Sequence, residues 1–337
     1  MEEDRITIND IAAAAGVSVA SVSRSLRNLP GVGPQTRRRI VEIADEFGYE
    51  LHPQASRLAS GRTSTVGLAA PLFGTWFPSR ALGGIHSVLA EAGYDLLVSM
   101  MTTPADRRQF LREARSFCRR VDGVILIDIF ASVDGGSADA LFNRPVVSVG
   151  ERLVGAGSIA IDNQLAARRA VEHLIDLGHE RIGIITAPQR ANMSMSTSGL
   201  RFLGYEDALR GAGLRVDPML VAAGDGSIAS GVEAMSRLLE IPEPPTGVFC
   251  MSDEMAFGAL RAAENAGVPV PDELSVIGFD DHDFAQAMGL TTMRQSVGEM
   301  GMTAAKTVLA LIEGSEPISE ITWDVPLVVR QTTTARG

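Results

Sequence analysis

From Thr65 onward, short apolar runs alternate with amphipathic stretches, and the alternation starts again about half-way along the chain. The first set of runs is Val66–Ala70 (VGLAA), Asp95–Met100 (DLLVSM), Gly123–Ile127 (GVILI) and Pro145–Val149 (PVVSV). Each has strand length. Between them, Ser79–Ala92 and Ala105–Arg119 carry apolar residues at helical spacing. The second set begins at Asn163, with helices expected over Leu165–Leu177, Leu200–Ala212, Ala229–Leu239 and Met255–Ala266. Strands interleave at Arg181–Thr186, Leu220–Ala222, Gly247–Met251 and Ser275–Phe279. Strands that meet a helix before the next strand form crossovers and hence parallel, doubly wound sheets. Two such sheets in tandem fit a chain of 337 residues, too long for one average core. They imply a cleft between them, with ligands at the carboxyl ends of the strands.

The first fifty residues follow a different pattern. Thr7 can cap a helix, with Asp10 three residues on completing a T-x-x-D box. Ile8, Ile11, Ala12 and Ala15 fall on one face, and Gly16 supplies a left-handed turn at no steric cost. Ser18 can cap a second helix from Val19 to about Leu26. Two short helices joined by a glycine turn make a helix-turn-helix, whose second helix enters the DNA major groove. Pro34 opens a third helix with an expected apolar stripe of Ile40, Ile43, Ala44 and Phe47, ended by Gly48.

Charge follows the same division. The whole chain carries −11, which argues against a general nucleic-acid coat protein. From Arg5 to Arg62, however, eight arginines stand against five acidic residues and leave about +3. A small basic module on an acidic body fits sequence-specific DNA binding. At 45% hydrophobic residues the chain is not of disordered composition, and no apolar run approaches a membrane span. The acidic N-terminus (MEEDRITIND) is unlike a signal peptide, so a cytoplasmic location and no membrane partner are expected. Cys118 and Cys250 lie far apart with no CxxC, which speaks against a disulfide framework or a thiolate metal site.

The full run of residues resembles the lactose/galactose-repressor family of bacterial transcription regulators. The resemblance is carried by T-I-x-D-I-A at Thr7–Ala12, A-G-V-S at Ala15–Ser18 and S-V-S-R at Ser21–Arg24. It continues in V-x-P-x-T-R-x-R-I at Val32–Ile40, G-Y at Gly48–Tyr49 and L-A-S-G-R-T at Leu58–Thr63. Beyond Thr65 it includes Val171–Gly183, Arg201–Leu209, Ser252–Ala262, Val268–Asp281 and Leu290–Gln295. It implies a headpiece over 1–50, a hinge helix over 51–62 and a periplasmic-binding-protein-like effector body. The first subdomain of that body would combine 63–163 with 294–321, and the second 164–293 with 322–337.

The resemblance also implies roles. Thr7, Ser18, Val19, Ala20, Ser21, Ser23 and Arg24 correspond to headpiece DNA contacts, and Ala55 and Leu58 to the hinge. Arg24 has the fork to take guanine O6 and N7 or a phosphate. Val19 and Ala20 can touch thymine methyls, whereas Ser21 and Ser23 suit phosphate or backbone. Leu58 corresponds to a wedge between base pairs in the minor groove; His52 departs from the Asn usual at the start of this hinge. In the body, Arg201 and Asp280 correspond to residues that bind ligand hydroxyl or carboxylate groups. Ser252 stands where Asn is frequent, and Phe77, with Trp76 beside it, would line the pocket. Leu72 replaces a frequent Asp, and Gly226 replaces an aromatic platform. Either Trp76 restores that platform or the pocket takes a larger ligand.

Enzymatic readings have little support. Gly224–Ala229 and Gly155–Ala160 both match GxGxxA, but neither opens a nucleotide-binding domain with an acid at the right strand end. No GK[ST] loop, GxSxG or HExxH occurs, and the five histidines show no i, i+4 pair. The expectation is a homodimeric transcriptional regulator, a repressor with no cofactor. It would bind double-stranded pseudo-palindromic operator DNA under control of a small ligand, a sugar or sugar derivative. The alternative is a solute-binding protein on the same body fold.

Overall fold

The computed structural model describes residues 6–26, 30–49, 62–71, 75–128, 138–187, 197–316 and 320–336. The chain divides into two compact units, Met1–Thr63 and Ser64–Gly337.

The first unit holds helices α1 (Ile8–Ala15), α2 (Val19–Leu26) and α3 (Pro34–Glu46). The Asp10 carboxylate closes the start of α1 by accepting from the Thr7 backbone N–H (2.8 Å) and hydroxyl (2.7 Å). Gly16 ends α1 at φ 64°, and the Val17 N–H returns to the Ala12 carbonyl at 3.0 Å. The Ser18 hydroxyl accepts from the Ser21 N–H at 3.2 Å and so caps α2. Ile11, Ala12, Ala15, Val22, Ile40 and Ala44 form the buried core, edged by Ile8, Val17, Leu26, Ile43 and Tyr49. Phe47, expected on the apolar stripe, is instead 42% exposed. Phe47 still has helical backbone angles (φ −86°, ψ −2°) and donates its N–H to the Ile43 carbonyl at 3.1 Å, but the chain turns back just after it at Gly48 (φ 60°), and Tyr49 packs on the core instead.

The second unit contains two six-stranded sheets. The first comprises β1 (Thr65–Ala70), β2 (Asp95–Met100), β3 (Gly123–Ile127), β4 (Val146–Val149), β5 (Gly157–Ile161) and β11 (Glu320–Trp323). The second comprises β6 (Ile182–Thr186), β7 (Val221–Ala223), β8 (Gly247–Cys250), β9 (Ser275–Asp280), β10 (Thr291–Arg294) and β12 (Leu327–Val328). Their orders are β11-β5-β4-β3-β1-β2 and β12-β10-β9-β8-β6-β7. All neighbours are parallel except β10 and β12. Each sheet therefore repeats the doubly wound order 2-1-3-4-5, with its switch point between the first and third strands.

Helices α4 (Trp76–Glu91), α5 (Pro104–Phe117), α6 (Ala138–Phe142) and α11 (Val297–Ile312) accompany the first sheet. The second has α7 (Asn163–Asp176), α8 (Thr197–Gly211), α9 (Ile228–Glu240) and α10 (Asp253–Ala266). The chain crosses between sheets after β5, after β10 and after β11. The 321/322 boundary drawn from the sequence falls inside β11, all four residues of which pair with β5. The GxGxxA run at Gly155–Ala160 ends in strand β5 and opens no helix, whereas Gly224–Ala229 does lie between β7 and α9. Cys118 and Cys250 are free, buried thiols. Among the described residues, no helix is long and apolar enough to cross a membrane.

Three helix pairs frame the body: α4 with α11, α7 with α8, and α9 with α10. Glycines set their separation. A side chain at Gly231 would collide with the Met255 backbone, one at Gly258 with the Ile228 carbonyl, and one at Gly204 with the Gln164 carbonyl. Gly84 and Gly301 meet the backbones of Gly298 and Ala81 in the same way. These collisions are with backbone and cannot be relieved by rotating a side chain. Gly231→Ala or Gly258→Ala is therefore expected to cost about 1–3 kcal/mol in denaturant unfolding. Gly83→Ala, at an exposed helical site with open space around it, should instead stabilise by about 0.5–1 kcal/mol.

Candidate functional site

In the headpiece the helical period sorts α2 into two faces. Val22 and Ser25 are buried and Leu26 is half-buried, whereas Val19, Ala20 and Arg24 are exposed and Ser23 is half-exposed. Four of the expected DNA contacts thus share one open face. The Arg24 side chain passes close to Gly31, whose φ of 100° turns the chain after the helix. Thr7 and Ser18 are exposed, but their hydroxyls also act in helix capping, and the Ser21 hydroxyl lies 3.0 Å from that of Ser18. Ala55 and Leu58, and with them the hinge over 51–61, lie outside the described residues, as do Leu72 and His52.

In the body, a cavity of about 190 Å³ opens where seven strands end. Asp128 follows β3, Gly150 follows β4 and Ile161 ends β5; Ala187, Met251 with Ser252, Asp280 and Gln295 hold the same place at β6, β8, β9 and β10. Both sheets contribute, as the rule for open α/β sheets requires. Phe77, Arg201, Ser252 and Asp280, four of the five expected effector residues, line this cavity. Ser252 also caps α10, its hydroxyl accepting from the Met255 N–H at 3.3 Å. Trp76, the fifth, is outside the lining: its ring lies against His282, with centroids 5.4 Å apart. Gly226 lines the wall at φ 95°, with open space where a side chain would start.

Arg201 is buried to 8% exposure. Its Nε donates to Asn163 Oδ1 at 2.9 Å and its Nη1 to the Met251 carbonyl at 2.5 Å. The guanidinium lies 3.6 Å from the centre of the Phe279 ring. Burial opposes its charge, and the carboxylates of Asp280, Asp128 and Asp253 support it. Two of its five N–H groups are engaged by Asn163 and Met251, so the fork retains donors for a ligand.

Asp280 stands at φ 131° and Asp281 at φ 57°, both in backbone regions that favour glycine. Neighbours hold them there. Gln295 donates its backbone N–H to the Asp280 carbonyl (3.0 Å) and its amide to the Asp280 carboxyl (2.6 Å). Arg294 and Arg330 each hold the Asp281 carboxylate at 2.6 Å. Burial pushes the Asp280 carboxyl up to about 8; Asp253 and Glu254 push the same way, against Arg201 and Gln295. Asp253, fully buried behind it, is pushed up to about 6 by burial despite bonds from the Thr292 hydroxyl (2.6 Å) and the His282 N–H (2.8 Å). Glu254 is also raised by burial, offset by the Trp76 backbone N–H that it faces.

Asp128, Asn163, Glu254 and Gln295 line the same cavity and were not singled out from the sequence. Asp128, Asn163 and Glu254 share one signal, a position within a few residues after an apolar strand run; Gln295 follows β10 (TTMR), which is not such a run. Without knowledge of which strands adjoin, that signal marks many residues equally.

A carboxyl group raised above its ordinary value binds a proton in the folded state that the unfolded chain releases. Its stabilising contribution is complete below about pH 4 and is lost as pH rises through about 8. Wild-type melting is therefore expected to fall between pH 6 and pH 9 by a few °C more than that of Asp280→Asn. Equal slopes in scanning calorimetry would remove Asp280 as the titrating group.

Comparison with known proteins agrees with this geometry. Residues 7–53 match the model for bacterial regulatory proteins of the lacI family, and residues 171–333 match the periplasmic-binding-protein-like domain. The HTH-type transcriptional repressor CytR of Escherichia coli (strain K12) is 34% identical, over 99% of this chain and 98% of its own length. The structure of the Lac repressor dimer bound to operator and the anti-inducer ONPF superimposes with a TM-score of 0.88. It is 28% identical and covers 98% of this chain and 100% of its own. A complex of the transcriptional regulator CelR with cellobiose gives a TM-score of 0.68 at 30% identity, over 97% of this chain and 100% of its own. The chain belongs to the lacI family of bacterial regulatory proteins and is a DNA-binding transcriptional regulator under small-molecule control, not an enzyme.

Proposed function

We propose that this regulator represses transcription as a cytoplasmic homodimer, each headpiece reading one half-site of a pseudo-palindromic operator. The controlling ligand is a hydroxylated small molecule, a sugar or sugar derivative, bound in the body cleft. The observation that carries this reading is the meeting of Arg201 and Asp280 in one cavity at the strand ends of both sheets. A fork of donors facing a carboxyl group can fix several hydroxyls at once. A ligand in contact with both sheets favours one relative placement of the subdomains. Residues 51–62 would transmit that placement to the headpiece as the hinge helix. A coupling of about 1–3 kcal/mol would change operator affinity roughly 5–150-fold.

For DNA, the open face of α2 supports major-groove reading by Arg24 together with Val19 and Ala20. A bidentate arginine–guanine pair discriminates by about 1–3 kcal/mol. The relatives support the assembly: one solved structure is described as a dimer bound to operator, another as a complex with cellobiose. The proposed body subdomains combine 63–163 with 294–323 and 164–293 with 324–337, which keeps β11 whole with the first sheet.

Incubating the full chain with sheared genomic DNA and sequencing the captured fragments tests the DNA reading directly. A shared palindrome is the expected outcome, and fragments with no common sequence would refute it. Arg201→Ala should abolish the ligand response in operator-binding titrations while leaving operator affinity within about twofold; a retained response removes it from the site. Leu58→Ala should weaken operator binding at least about tenfold more than non-specific binding, since only a kinked complex uses the wedge. Equal losses would end that role.

A further inference from the structure

We propose that the body cleft admits uncharged or amine-bearing hydroxylated ligands and rejects their phosphorylated or carboxylated counterparts. This rests on the effector-cleft reading above and adds the charge of the ligand. Among the described residues of the lining, three carboxyl groups, from Asp128, Glu254 and Asp280, surround one guanidinium, that of Arg201. A fourth, Asp253, lies fully buried behind them. Arg201 is already bonded to Asn163 and Met251, and the acids around it already support its charge. Asp280 keeps its proton up to about pH 8 and adds no negative charge there, but Asp128, Glu254 and Asp253 still outnumber the one guanidinium. An arriving phosphate would add its charge to theirs inside a water-poor cavity, where like charges repel strongly.

Helix N-termini, the usual receivers of anions, are supplied from within the chain at several places. The first turn of α10 contains Asp253 and Glu254, and its Met255 N–H is taken by Ser252. The first residue of α4, Trp76, turns its backbone N–H to the Glu254 carboxylate. Of the other helix starts at the cavity, that of α7 at Asn163 is capped by the Asp162 carboxylate, which accepts from the Leu165 N–H at 2.9 Å, and that of α8 at Thr197 and Ser198 is where a phosphate would have to lodge if the inference fails. Burial pushes both the Asp280 and the Glu254 carboxyl groups up, so the cavity is poor in water as well as rich in acid. Hydroxyls, by contrast, can donate to the carboxylates and accept from the fork, and an amine gains from the acid excess.

The test is calorimetric titration of the full chain with common pentoses, hexoses, hexosamines and nucleosides, each neutral compound paired with its monophosphate. In every pair that binds, the unphosphorylated member is expected to bind at least about tenfold tighter, which is about 1.4 kcal/mol. Glu254→Gln should narrow that gap severalfold, with its melting curve checking the fold. A monophosphate that binds as well as or better than its parent overturns the charge rule but leaves the effector cleft standing. If no member of any pair binds, the effector-cleft reading fails, and the charge rule falls with it.

Discussion

A positive charge at 8% exposure, Arg201, sits where both sheets of the body end. An unpaired buried charge would be prohibitively costly, so the surroundings must supply acceptors and countercharge. Asn163 and the Met251 carbonyl supply the acceptors, the Phe279 ring a face, and the acids at the strand ends the countercharge. These partners come from different elements, which must all be in place for the guanidinium to be tolerated. The same acids exceed what one arginine can balance. Burial above all, and Asp253 and Glu254 after it, raise the Asp280 carboxyl group, and the surplus of acids underlies the proposed preference in ligand charge.

The frame that brings those elements together depends on close backbone approach. Gly84 and Gly301 let α4 and α11 touch, Gly204 does so for α7 and α8, and Gly231 and Gly258 for α9 and α10. Helices this close leave little slack, so a displacement at the cleft moves packed pairs as units. Only three chain crossings join the two sheets. Contacts such as Trp76 on His282 and Arg80 with Asp283 at 3.7 Å also bridge the two halves. A ligand that touches both sheets would add to this short set of connections.

The headpiece follows a different economy of size. Among the described residues, six buried side chains make its core, and a domain this small has little stability to spare. Its two short helices depend on end-closing bonds as well as packing: Asp10 on Thr7, Gly16 at the turn, and Ser18 on Ser21. That arrangement leaves the outer face of α2 free of structural duty, with Val19, Ala20 and Arg24 exposed.

Much of this was legible in the residues. The capping box, the glycine turn and the period of Ile8, Ile11, Ala12 and Ala15 specify the helix-turn-helix, because those signals act over three or four residues. The run GVILI has strand length and is apolar throughout, as a strand buried on both faces is, and its alternation with helices argues a parallel sheet. Strands β10 and β12 were not legible: TTMR and LV hold too little apolar sequence and exist because a neighbouring strand pairs with them. Phe47 was misplaced because the turn at Gly48 brings Tyr49 back onto the core, which periodicity within the helix does not show.

In the cleft, the resemblance of the phrases around them grouped Arg201 and Asp280 before any fold was seen. That Asp128, Asn163, Glu254 and Gln295 line the same cavity, and that Trp76 turns away toward His282, comes from the packing of the sheets. The difference is one of range. Caps, turns and periodicity are set by covalent neighbours, whereas the charge of a cavity is set by strand ends that lie far apart along the chain until the sheets close.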